Sequence, residues 1–200
     1  MISNSADFIG RKSRRVSGPR NSALALLCLA SIVLLAAGTT SAIGQVSEYA
    51  VKAAFVYKFS EFVEWPAGSF KSSNAPITIC VLGENPFGNA LEQITEGKFF
   101  AGRGFQVMHI SSANTAKGCR VLFISRSEKK RLGPILSDLA QPGILTVGDT
   151  AGYAERGVMI NLYLEGDKVR FEINPDAAAR AGIKISSKLL SLAKITSSGS

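Results

Sequence analysis

The sequence predicts an α/β fold, a three-layer sandwich with a mostly parallel sheet, an antiparallel hairpin at one edge and helices on both faces. Three observations predict it. Ile77–Leu82, Phe105–Ile110, Val121–Ser125 and Ile144–Val147 are continuous apolar runs without polar alternation, as strands covered on both faces are. Helical stretches fall between them, at about Phe87–Glu96 and Glu128–Ala140, where Pro134 sits in the first two turns. Val158–Leu164 and Lys168–Asn174 then flank Glu165-Gly166-Asp167, which reads as a hairpin turn. Pro175–Ala181, started by Asn174-Pro175 and stopped by Gly182, and Ser186–Lys194 complete the helices.

The chain has 200 residues, 46% of them hydrophobic and 19% charged. That suits one domain with an appendage and excludes a disordered chain, a collagen-like repeat and a disulfide-dense miniprotein. The appendage is residues 1–42. Arg11, Lys12, Arg14, Arg15 and Arg20 form a basic stretch, Ala23–Ala37 an apolar run, and Thr40-Ser41-Ala42 a small-residue cleavage site. This is the pattern of a secretory signal peptide cleaved near Ala42, and the apolar run falls short of the roughly 20 residues that span a bilayer. Arg14-Arg15 is followed by residues that fit a twin-arginine signal poorly. A bulky Leu27 before Cys28 argues against a lipoprotein site. Residues 43–195 are then the folded domain and 196–200 a flexible tail. Without the leader, 18 basic residues face 14 acidic ones, so half of the formal +8 charge leaves with it and +4 remains. Lys129-Lys130-Arg131 is the one basic run, and it reads as a solvated face instead of a nucleic-acid patch.

Residues 47–65 are predicted to form a helix capped by Ser47 and ended at Trp65-Pro66. Val51, Phe55, Phe59 and Phe62 fall on one face, with Lys52, Lys58, Glu61 and Glu64 largely off it. A core-packing stripe explains that face. Four aromatics, Tyr57, Phe59, Phe62 and Trp65, are also candidates for a partner-binding surface.

The search for chemistry returns little. His109, the only histidine, lies mid-strand, and general-base, Ser-His and most zinc chemistry would have to pass through it. No G-x-S-x-G, H-E-x-x-H or C-x-x-C motif occurs. Gly83–Gly88 lacks the Lys-Ser/Thr of a phosphate loop, and Gly102-Arg103-Gly104 precedes a strand where a dinucleotide fingerprint follows one. These readings give no catalytic residue, no metal site and no cofactor. Ligands of parallel sheets gather at the carboxyl ends of strands, which makes Glu84, Asn85, Ser125, Arg126 and Asp149 candidate rim residues of a cleft. Cys80 and Cys119 remain after processing. An even count in an exported protein favours a disulfide, and two buried thiols are the alternative; a bond needs Cα atoms within about 7 Å.

Several motifs, in order, resemble the YfiR family of periplasmic regulators. They are Ser47–Phe55 continued to Phe62-Val63-Glu64-Trp65-Pro66; Ile79-Cys80-Val81-Leu82-Gly83 with Pro86-Phe87-Gly88; and Cys119-Arg120-Val121-Leu122-Phe123-Ile124-Ser125. Leu145–Asp149, Val169–Asn174 and Ile185–Ala193 follow. The resemblance implies a periplasmic protein without enzymatic activity that binds the periplasmic sensor domain of an inner-membrane diguanylate cyclase and represses it. Cyclic di-GMP falls, and with it biofilm. It further implies an outer-membrane lipoprotein that sequesters the regulator, a homodimer, and a disulfide between Cys80 and Cys119, which match a bonded pair of the family. The second cysteine pair of the family is absent here. Two other readings compete: a small-molecule sensor partnering a histidine kinase or other envelope receptor, and an enzyme built around His109.

Overall fold

The computed structural model describes residues 40–139 and 142–199. Nearly all of the predicted leader, Cys28 included, lies outside the described residues. Helix α1 spans Thr40–Phe59, a single 3-10 turn follows at Ser60–Phe62, and the chain straightens into β1 (Val63–Glu64) before Trp65. Strand β2 is Ile77–Leu82, α2 Ala90–Thr95, β3 Phe99–Phe100 and β4 Arg103–Ile110. A 3-10 segment at Ala113–Gly118 leads into β5 (Val121–Ile124), and another at Arg126–Arg131 into α3 (Leu132–Asp138). Strands β6 (Leu145–Gly148), β7 (Ile160–Glu165) and β8 (Lys168–Ile173) follow, then α4 (Pro175–Arg180), β9 (Lys184–Ile185), α5 (Ser187–Leu190) and β10 (Lys194–Ile195).

Eight strands form one sheet in the order β10-β8-β7-β6-β5-β2-β4-β3, and β1 pairs with β9 in a separate two-stranded ribbon. The neighbours from β4 through β2, β5 and β6 to β7 are all parallel. The β7–β8 hairpin is antiparallel, closed by Gly166-Asp167 between the paired Glu165 and Lys168. Short β10 lies beyond it, and β3 turns back antiparallel on β4 at the other edge. Side chains alternate across the sheet as strand pleating dictates. Ile79, Val81, Val121, Phe123, Leu145 and Val147 face a core shared with Ala53, Val56 and Phe59 of α1 and Leu91 of α2. Cys80, Leu82, Leu122 and Ile124 face a second core with Ala116, Leu132 and Ile135. The three-layer sandwich follows from this, because β2, β5 and β6 are covered on both faces, whereas β4, expected to be covered likewise, leaves Gln106, Met108 and His109 exposed near the edge of the sheet.

The structure corrects the predicted stripe on α1. Val51 is 43% exposed, while Lys52, Ala53, Val56, Tyr57, Phe59, Ser60 and Val63 are buried. The helix is therefore turned by one residue from the expected face, and a lysine stands in its buried row. The helix predicted across residues 128–140 is a 3-10 turn followed by an α-helix of seven residues, which places Pro134 in the first turn, where it displaces no hydrogen bond. The predicted last helix shortens to α5, because Lys194–Ile195 pairs with β8. Residues 196–199, expected to be a free tail, are tied back. Thr196 N donates to Ile173 O at 2.8 Å and Gly199 N to Glu155 O at 3.0 Å.

Candidate functional site

Helix α1 crosses one face of the sheet, and its two ends meet the two ends of the parallel strands. At the carboxyl end Asp149, just after β6, receives a hydrogen bond from the Tyr49 hydroxyl at 2.9 Å and an ion pair from Lys52 Nζ at 2.9 Å. Lys52 also pairs with Glu48 at 2.6 Å and lies 4.6 Å from the centre of the Tyr49 ring. Both the Lys52 and Asp149 side chains are almost fully buried. Burial first, then the Asp149 charge, pushes the Tyr49 hydroxyl well above its ordinary value, so it is a neutral donor. A buried charge needs a partner to offset its desolvation, and here one ammonium has two carboxylates. Gly148 lets this end close: a Cβ there would stand 2.5 Å from the Tyr153 ring. The Tyr153 hydroxyl in turn donates to Ser125 O at 3.0 Å.

Three of the five candidate rim residues are engaged within the fold. Asp149 is occupied by Tyr49 and Lys52, and Ser125 is buried. Asn85 closes a local turn, accepting from Phe87 N at 2.9 Å and donating to Gly88 O at 2.7 Å. Glu84 and Arg126 are exposed, with the Glu84 backbone N–H donating to Ser127 Oγ at 3.0 Å. Helix α1 covers the Asp149 position of the expected cleft, while Glu84 and Arg126 remain exposed.

The amino end is arranged differently. Trp65 follows β1, is half-buried, and donates from Nε1 to Arg120 O at 3.2 Å. Its ring meets Phe70 edge-on with centres 5.6 Å apart. The guanidinium carbon of Arg103 stands 3.9 Å from the centre of the Phe70 ring, and that of Arg120 5.7 Å. Arg103 donates to the carbonyls of Ser72 and Ala75, at 2.8 and 2.9 Å, and Arg120 to that of Gly143 at 2.9 Å. Gly143 has φ +88°, and a Cβ there would come 2.7 Å from Ser69 Oγ and 3.2 Å from the Arg120 guanidinium. Among the described residues neither arginine forms an ion pair. Partial burial pulls Arg120 below its ordinary value. Two fixed guanidinium groups on an aromatic platform make a surface for a carboxylate-bearing partner.

The four aromatics read as a partner surface divide here. Phe59, 1% exposed, packs on Phe171 with ring centres 5.2 Å apart, and Tyr57 is buried against Phe105 at 5.0 Å. Both belong to the core and are not available to a partner. Phe62 and Trp65 remain half-buried. Glu48, Tyr49, Lys52, Phe70, Arg103 and Arg120 are the residues that the sequence reading did not assign. Only Lys52 carried a signal, at spacings of four, seven and eleven from Val56, Phe59 and Val63.

Cys80 and Cys119 form a disulfide with Cα atoms 5.8 Å apart. It ties the residue before Arg120 to the middle of β2, inside the second core. His109 is exposed on β4 and meets Glu92 Oε1 at 2.8 Å. Among the described residues no group of three or more His, Cys, Asp or Glu side chains could hold a metal ion. No helix among them is long and apolar enough to cross a membrane.

The fold is an α/β sandwich with a mostly parallel central sheet. The chain belongs to the YfiR/HmsC-like family, which it matches over residues 49–194, and members of that family are periplasmic regulators. Solved structures are more distant. One described as an ABC domain in complex with L-Trp from Streptococcus pneumonia is 14% identical, with 60% of this chain and 56% of that one covered and a TM-score of 0.43. A conserved domain protein from Vibrio cholerae is also 14% identical, with 60% and 54% covered and a TM-score of 0.44. The chain spans a little over half the length of either.

Proposed function

We propose that this protein is an exported regulator that binds the periplasmic sensor domain of an inner-membrane diguanylate cyclase and holds the cyclase inactive. The observation that carries the reading is the family match across residues 49–194, which takes in Tyr49, Lys52 and Asp149 at one end of the sheet and Trp65, Arg103 and Arg120 at the other. Residues 1–42 are its signal peptide, cleaved near Ala42, and the mature domain acts as a homodimer that an outer-membrane lipoprotein withdraws from the cyclase. Such a repressor needs only a higher affinity for the inactive state of its target. The contact surface is the amino end, where Trp65, Phe62 and Phe70 supply apolar area and Arg103 and Arg120 supply charge.

Intracellular cyclic di-GMP, compared between a deletion strain and its parent, tests this. The level rises on deletion and returns to the parental value with the exported protein, but not with a form lacking residues 1–42. An unchanged level in the deletion strain would sink the proposal.

A further inference from the structure

A cavity of about 310 Å³ opens among α3, β6 and α4. Its walls come from Leu136 and Leu139 at α3, Ile144 and Thr146 at β6, Met159 before β7, and Arg180 at the end of α4. The volume is at the lower limit of small-molecule sites, about 300 to 1,000 Å³. Thr146 and Arg180 are its only polar side chains among the described residues, and backbone groups supply the rest of its polar lining. Thr146 is buried and its Oγ1 already accepts the Met159 N–H at 3.0 Å, so the floor asks nothing polar of an occupant.

Arg180 is the one charged group on the lining. Its only hydrogen bond among the described residues runs to a neutral group, Ser198 Oγ, at 3.2 Å. Asp176, one turn earlier on α4, is not within ion-pair distance, and Arg180 forms no ion pair among the described residues. A guanidinium without a carboxylate at the mouth of an aliphatic cavity is complementary to a molecule with one anionic head and an apolar body. A dianion or a sugar would leave polar groups against Leu136, Ile144 and Met159, at the cost of unmade hydrogen bonds.

We infer that this cavity binds a medium-chain aliphatic monocarboxylate, with its carboxylate on Arg180 and its chain against Leu136, Leu139, Ile144 and Met159. Neither Arg103 nor Arg120 lines it, although the lining residue Ala181 accepts from Gly143 N, whose carbonyl holds Arg120.

The test is calorimetric titration and thermal denaturation of the protein, purified as the cell makes it, with sodium octanoate. Octanol is the uncharged probe of the same length. Octanoate at a hundredfold excess over its Kd raises Tm by about 5 °C. Octanol binds roughly tenfold more weakly, and Arg180→Gln brings octanoate down to the level of octanol. Leu136→Trp, which fills the cavity from an exposed helix, abolishes binding of both while the circular dichroism spectrum stays that of the parent. Equal binding of octanol and octanoate would overturn the assignment to Arg180. Octanoate binding unchanged in Leu136→Trp would place the ligand elsewhere, and no binding at millimolar octanoate would overturn the inference outright.

Discussion

At the carboxyl end of the sheet, Lys52 meets two carboxylates and a tyrosine, all on or against α1. At the amino end, Arg103 and Arg120 meet only backbone carbonyls and the ring of Phe70. The same helix region reaches both. The difference teaches what each end is for. Opposite charges paired in the interior cancel one another's field and hold two elements together, and removal of one partner leaves the other stranded. Guanidinium groups held by carbonyls keep their full charge, are fixed in direction, and present a positive potential to whatever approaches. One end fastens α1 to the sheet, and the other faces outward.

The largest expected effect tests whether the outward end depends on its mounting. The disulfide spans 39 residues, and on the loop-closure account its removal costs about 4 kcal/mol. Cys80→Ala with Cys119→Ala therefore unfolds at a much lower urea concentration. Because Cys119 precedes Arg120, this variant also represses more weakly at temperatures where it is still folded. A urea midpoint equal to that of the parent would show that the bond constrains nothing, and would separate it from the geometry of the amino end.

The fastened end comes next. Asp149→Ala leaves Lys52 buried with Glu48 alone and costs about 3 kcal/mol. Lys52→Met alone costs a similar amount, since Asp149 keeps only the Tyr49 hydroxyl, and the double variant recovers part of the loss. A double-mutant cycle by urea denaturation reads the coupling as at least 1 kcal/mol. Additive losses would mean that the pair holds nothing together. If the amino end is the contact surface, as proposed, repression by the folded Asp149→Ala protein stays at the parental level.

The two ends also differed in how far the sequence exposed them. The sheet was legible because strands buried on both faces leave continuous apolar runs, and those at β2, β5 and β6 could not be solvated. The hairpin was legible from Glu165-Gly166-Asp167. Asp149 was placed at the strand ends, but its partners were not: Lys52 and Tyr49 are a hundred residues away, and no local pattern registers a contact at that range. Lysine read as solvent-facing moved the whole stripe of α1 by one position. At the amino end Trp65 was visible as an aromatic beside a proline. Phe70 comes from a loop, Arg103 from the start of β4 and Arg120 from the residue before β5, so only the fold gathers them. Tyr57 and Phe59 were drawn into the partner surface because composition counts aromatics without showing which way they turn.

Smaller in energy, and sharper in function, is the amino-end pair. Arg103→Gln removes charge-assisted bonds to two carbonyls and Arg120→Gln a bond to one, at partly exposed positions, and each costs about 1 kcal/mol. Together they release the cyclase, and cyclic di-GMP rises to the level of the deletion strain while the urea midpoint shifts little. If repression survives in the double variant, the partner surface lies elsewhere and the contrast between the two ends has no functional meaning.

The smallest effect lies in alkaline solution and belongs to the fastened end alone. Burial and the Asp149 charge raise the Tyr49 hydroxyl above the 10.0 at which a free tyrosine ionises. Below pH 10 both the folded and the unfolded chain keep that proton, so the stability due to the shift is fully present. As the pH rises past 10, the unfolded chain releases the proton and the folded one retains it, so stability declines. Tyr57 and Tyr153 are raised as well, chiefly by burial, so the parental protein loses stability through three such groups. Tyr49→Phe removes one, and its decline between pH 10 and 11 is shallower by up to one proton's contribution. It does so at a cost of about 1 kcal/mol at neutral pH, where the hydrogen bond to Asp149 is lost. Trp65→Phe, at the other end, leaves that slope as it is. An alkaline slope identical in Tyr49→Phe and the parent would mean that Tyr49 ionises freely, and the carboxyl end would then be as open as the amino end.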